Sequence, residues 1–300
     1  MRLFLPEKWF ILVLEVSHMA NIASRRRMAL PHGWYPRNVT EIDSLLGEWT
    51  QGERSREAKA AVCPHAGWFF SGRLAALAIA DLEEVDTLAI IGGHLSPNSP
   101  ILYAPEDSFE VPGGELQADQ ELFAAFKAQL RDSGIGAPEP DRYMDNGVEV
   151  LLPMVASLHR GARILWLRTP PRYESKELGA CLARASANLG RRVACVGSTD
   201  LTHYGPAYGF TPMGLGEKAE RWVSGTNDKA FIDALLEMNC ELALTRAVKK
   251  DAACSSGAAI AALGFALESG ASSAKLLGYS TSLDLRPDDS FVGYAAIVFV

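Results

Sequence analysis

Short runs of consecutive apolar residues alternate along the chain with longer stretches in which apolar residues recur at helical spacing. The short runs predict strands over 59–63, 87–92, 163–168, 192–197, 275–279 and 293–300. The longer stretches predict helices over 72–82, 118–130, 148–158, 175–188, 228–237 and 256–268. Strands alternating with helices in this way predict an α/β fold, with a central, mostly parallel or mixed sheet and helices on both faces. The best linker candidate is the Gly- and Pro-containing stretch 131–142. It is short and the alternation resumes on both sides, so it reads as a loop within one domain spanning 29–300.

Residues 1–28 read as an N-terminal extension of that domain. The apolar run FILVLEV at 10–16 is interrupted by Glu15 and is far shorter than the roughly 20 apolar residues a membrane span needs. Glu7, Lys8 and Glu15 also sit badly with a secretory signal. Met19 and Met28 are alternative start positions for the same chain.

With 48% hydrophobic and 22% charged residues, the chain has enough apolar material to fold without metal or disulfides. The net charge of −7 and the absence of a basic stripe exclude a phosphate-backbone footprint, so nucleic acid and membrane are not expected partners. The five cysteines are odd in number and show no CxxC spacing, which suits free thiols in a reducing, cytoplasmic setting.

The chemistry-bearing residues collect just after predicted strands. Cys63-Pro64-His65-Ala66-Gly67 follows the first strand and Gly92-Gly93-His94 the second. The segment Ser198 to His203, containing Asp200, follows the fourth, and Ser280 to Asp284 the fifth. Ligands of open α/β sheets bind outside the carboxyl ends of strands, so these loops are expected to converge. His65 and His94 read either as loop histidines or as imidazole ligands of Zn, Cu, Fe or Ni. Asp200 reads either as a helix N-cap or as a carboxylate serving His203 in acid–base work. Cys254, followed by Ser-Ser-Gly ahead of an apolar helix, reads as a buried apolar thiol, a nucleophile or a metal ligand.

Taken together and in order, the segments PHGWYP (31–36), PHAGWFFSG (64–72), IIGGHLSP (90–97), VPGGELQAD (111–119), VEVLLP (148–153), GSTDLTHYG (197–205), CSSGAAI (254–260), LLGYSTSLDL (276–285) and FVGYAAIVF (291–299) resemble the Memo family, known in bacteria as AmmeMemoRadiSam system protein B. The resemblance covers about residues 29–300. It implies the fold of LigB-type class III extradiol dioxygenases, which are non-haem iron enzymes. It further implies an iron or copper ion held by His65, His94 and Cys254, with His203 as a catalytic base and Asp200 beside it. A redox or metal-handling role, and protein partners within the AmmeMemoRadiSam system, follow from the same resemblance.

Two departures stand out. Where the family carries a histidine after an acidic residue, this chain has Asp145-Asn146-Gly147, and Cys254 is followed by Ser255-Ser256. Besides metal handling, the residues leave room for ring-cleaving dioxygenase activity on an aromatic substrate, and for a thiol hydrolase with Cys254 as nucleophile and His203 as base.

Overall fold

The computed structural model describes residues 24–52 and 54–300. The early strands are β1 (Arg25–Arg26), β2 (Ala60–Cys63), β3 (Thr87–Gly92), β4 (Leu102–Tyr103), β5 (Ser108–Val111) and β6 (Gly114–Gln117). They are followed by β7 (Glu139–Pro140), β8 (Arg163–Arg168), β9 (Val193–Ser198), β10 (His203–Tyr204), β11 (Ala274–Thr281) and β12 (Phe291–Phe299). The helices are α1 (Val39–Trp49), α2 (Arg73–Ala80), α3 (Gln120–Asp132), α4 (Asn146–Glu149) and α5 (Leu152–Leu158). Then come α6 (Glu174–Leu189), α7 (Glu217–Trp222), α8 (Lys229–Leu236), α9 (Cys240–Lys250) and α10 (Ser256–Glu268).

Nine strands form a mixed sheet in the order β10-β12-β2-β9-β3-β8-β4-β7, with β11 pairing along β12. Its centre, β2-β9-β3-β8, is parallel throughout. Strand β12 runs antiparallel to β2, and β4 antiparallel to β8. The 131–142 stretch contributes β7, which pairs with β4 at the sheet edge. A second, three-stranded sheet is ordered β1-β5-β6.

Side chains of a strand point alternately to its two faces, and the core divides accordingly. Val62, Ala89, Ile91, Leu165, Leu167, Cys195 and Ile297 face one side, where α3, α6, α8, α9 and α10 cover them. Ala61, Cys63, Leu88, Ile90, Trp166, Val196 and Val298 face the other, beneath α1, α2 and α5. The central strands are thus buried on both faces, which is why they read as continuous apolar runs rather than alternating ones. Helix α10 is apolar on nearly every side and is buried from Ser256 to Ala266, as such a helix must be. It packs on α6 at backbone distance: a Cβ at Gly179 would meet the Ala261 carbonyl, and one at Gly264 the Lys176 carbonyl.

The departures from the predicted elements are local. The helix expected over 148–158 is broken at Val150–Leu151, and Pro153 opens the second piece, α5. The helix expected over 228–237 continues a wider π turn, Val223–Asp228. Helices α1 and α9 lie outside the predicted set, although Asn38 and Asn239 cap their first turns through side-chain oxygens. Of the expected extension 1–28, the 10–16 run and Met19 fall outside the described residues. Arg25–Arg26 pair with β5, and the Met28 amide donates to Glu110. No helix among the described residues is long and apolar enough to cross a membrane.

Candidate metal centre

The neighbouring parallel strands β2, β9 and β3 end side by side, so the residues that follow them emerge at one rim. His65 comes two residues after β2 and is buried. Its amide donates to Asp200 Oδ1 at 2.7 Å, and its Nδ1 shares a hydrogen bond with Ser198 Oγ at 2.8 Å. His94 comes two residues after β3, with its side chain 30% exposed. Its Nδ1–H donates to Asp145 Oδ2 at 2.8 Å. Cys254 lies just ahead of α10, where its amide donates to the Asp200 carbonyl at 3.1 Å and the Ser255 amide to Thr199 Oγ1 at 3.0 Å. Gly93 permits this convergence, since a Cβ there would overlap Ser255.

With both Nδ1 atoms engaged, the two Nε2 atoms point at one another, 3.1 Å apart, and Cys254 Sγ is 3.3 Å from His65 Nε2. His65, His94 and Cys254 offer three ligand atoms within 4.8 Å of one another. Ligand bonds near 2.0–2.1 Å for nitrogen and 2.3 Å for sulfur require donors about 3–4 Å apart, so this donor set fits a single transition-metal ion. Two imidazoles and a thiol suit copper, zinc or iron better than magnesium or calcium.

Electrostatics at the rim favour charge separation. Burial pulls the His94 imidazole down, but its hydrogen bond to Asp145 and the neighbouring Cys254 sulfur outweigh that and raise it from 6.5 to about 9. Burial pushes Asp145 up, yet His94 and Arg168 together hold it below the ordinary 3.8. Burial lowers His203, against the pull of Asp200, so its imidazole is neutral near pH 7. The other four cysteines are buried and free, with Cys63, Cys181, Cys195 and Cys240 all pushed up by burial.

Asp200 sits on a loop leading into the short strand β10, which His203 opens, and not on a helical turn, so Asp200 caps no helix here. Nor does Asp200 orient His203. Its carboxylate is turned to His65, whereas His203 Nδ1–H donates to the Leu201 carbonyl at 3.1 Å. Both residues line a cavity of about 540 Å3 together with Trp34, Phe69, Phe70, Asn146, Tyr208 and Tyr294. Asn146, in place of the expected histidine, donates from Nδ2 to the His65 carbonyl at 3.0 Å. Ser282, from the loop after β11, reaches the same cavity. Asp145, Ser198, Thr199 and Arg168 were not among the predicted site residues. Their partners are distant in sequence, and only the position of Ser198 and Thr199 at the end of a strand hinted at them.

Fold and site define a doubly covered α/β protein with a His–His–Cys cluster at the carboxyl ends of its parallel strands, beside an aromatic-walled cavity. A sequence model described as Memo-like protein matches residues 26–298, and the chain belongs to that family. A MEMO1 family protein of Thermococcus onnurineus is 32% identical over 295 residues, covering 91% of this chain and 99% of the relative. One from Methanococcoides burtonii is 34% identical over 249 residues, covering 81% and 87%. Among solved structures, an uncharacterized protein of Escherichia coli K12 superposes with a TM-score of 0.52 at 10% identity, over 81% of this chain and all of that one, a likeness of fold alone.

Proposed function

We propose that the chain is a metal protein in which His65, His94 and Cys254 hold one iron or copper ion, in a redox or metal-handling role. The observation carrying this reading is that Ser198 and Asp145 occupy both Nδ1 atoms, leaving two Nε2 atoms and a thiol aimed at one point. Second partners of this kind fix ring orientation in metal sites. When bound, such an ion supplies redox or Lewis-acid chemistry. The chain's own residues then bind and orient it: Asp145 keeps the proton of His94 on Nδ1, and Thr199 and Ser255 flank the thiol at 3.7 and 3.6 Å. His203, neutral and at the cavity wall, is placed to take a proton from a molecule bound there. The five free thiols support a cytoplasmic setting. Protein partners of the AmmeMemoRadiSam system belong to the same reading. The test is elemental analysis of untagged protein purified without oxygen. About one equivalent of iron or copper is expected, lost in His65→Ala and Cys254→Ala; metal-free protein that stays metal-free on loading sinks the reading.

A second reading, ring-cleaving oxygenation, is favoured by the aromatic walls of the cavity. Asn146 weighs against it, because an amide cannot titrate where a proton must be passed. Oxygen uptake and a yellow ring-opened product from catechol or protocatechuate, after anaerobic loading with Fe(II), would establish it. The hydrolase reading loses its pair: the imidazole beside Cys254 is His65, not His203.

A further inference from the structure

We propose that Arg168, acting through Asp145, is the positioning residue that aims His94 into the cluster. This rests on the reading of the cluster as a metal centre. His94 has a φ of 54°, in the left-handed region that a residue with a side chain holds only where its surroundings over-determine it. Arg168 ends β8 in register with Gly92, the last residue of β3. Its Nε donates to the Gly93 carbonyl at 2.9 Å and its Nη2 to the His94 carbonyl at 3.4 Å. The same Nη2 meets Asp145 Oδ2 at 3.2 Å, the oxygen that accepts the His94 Nδ1 proton. One guanidinium thus holds both the main chain and, through a carboxylate, the ring of the same histidine.

Behind it, Nη1 pairs with Asp141 at 3.3 Å, and the side chains of Arg168 and Asp141 are 6% and 0% exposed. A buried ion network is weak evidence of stabilisation, because desolvation consumes most of its attraction. Its place directly beneath a strained histidine points to geometry instead. The task needs a planar fork with several donors in fixed directions, which lysine lacks.

The test titrates metal-free protein with Co(II), whose thiolate charge-transfer and d–d bands report the ligand set. Arg168→Met is expected to weaken Co(II) binding about 10–100-fold and to alter the d–d bands while the thiolate band persists. Arg168→Lys is expected not to rescue it. A metal-independent readout is the downfield imidazole proton of His94, expected sharp in the parent protein and lost to solvent exchange in Arg168→Met. If Arg168→Met does not fold, Arg168→Gln, which keeps an amide donor near the Gly93 carbonyl but loses the fork, is read in the same way. Unchanged affinity, bands and proton resonance in a folded variant, or full rescue by lysine, overturns the inference. If the parent protein takes up no Co(II), the metal reading fails by itself, and the His94 proton alone decides whether Arg168 positions that ring.

Discussion

The Nε2 atoms of His65 and His94 face each other at 3.1 Å, while the other ring nitrogen of each is already engaged. Two lone pairs at that distance repel, so a metal ion or a shared proton belongs between them. Hydrogen bonding to Asp145 and the nearby Cys254 sulfur raise the His94 imidazole from 6.5 to about 9 against the effect of burial, so an ion entering at neutral pH competes with a proton there.

Metal uptake should therefore be proton-linked. An ion entering at neutral pH displaces the His94 proton, and the Cys254 thiol gives up its own to become a ligand, so apparent affinity is expected to rise by at least about tenfold per pH unit below about pH 9. The sign for the metal-free protein is opposite. A pKa raised from 6.5 to about 9 gives stability that is fully present below 6.5 and lost as pH rises through 9. Competition titrations and urea unfolding, each run as a pH series, check the two halves separately.

His203→Ala should leave the ion bound. Its Nδ1 is tied to the Leu201 carbonyl and its ring faces the cavity. Metal content equal to that of the parent, with any turnover reduced about 10²–10⁴-fold, is expected. Loss of the ion would make His203 a ligand and refute the assignment.

Gly93→Ala tests the closeness of the His94 and Cys254 loops. The new methyl would lie 2.5 Å from Ser255 Cβ and 2.9 Å from its Cα, so the Cys254 loop must retreat. A destabilisation of about 1–3 kcal/mol is expected. Loss of the thiolate charge-transfer band of bound Co(II) should accompany it. A variant that retains the band at full intensity would show that the loop has room to spare.

Asp228 predicts a second pH window, away from the cluster. It is buried against Gly293 and accepts hydrogen bonds from the Thr202 amide at 3.0 Å, the Thr202 hydroxyl and the Tyr279 hydroxyl at 2.8 Å. Burial outweighs those bonds and raises its carboxyl from 3.8 to about 6. Its contribution is present below 3.8 and lost as pH rises through 6. Asp228→Asn should flatten the stability profile between pH 4 and 6, roughly the interval between the two pKa values, as measured by denaturant unfolding. An unaltered profile would mean that the carboxyl titrates normally.

The parts of the fold that were legible in the sequence are those whose burial is two-sided. Strands β2, β3, β8, β9 and β12 are unbroken apolar runs because both faces are covered, and α10 is apolar throughout because it is enclosed. The two-residue strands β1, β4, β7 and β10 carry no pattern of their own and exist only as pairings with distant partners. The site divides in the same way. His65, His94, Asp200 and His203 are visible because they follow strands, and Cys254 because small polar residues separate it from an apolar helix. Asp145 and Arg168 are not, because a hydrogen bond spanning 51 residues and an ion pair from the end of β8 to the cap of α4 leave no spacing to read.

The contact of α6 and α10 at Gly179 and Gly264 bears on which ions the cluster accepts. Backbones that already touch hold α10 against α6 without slack, so the Cys254 loop at its head has a firm base. His65, buried and bound to Ser198 and Asp200, is fixed as well. His94 is the more exposed of the two rings, so any outward give lies on its side, within the limit set by Arg168 and Asp145. A larger ion would open the cluster outward along that side alone, so discrimination by ionic radius would be decided by how far one imidazole can swing.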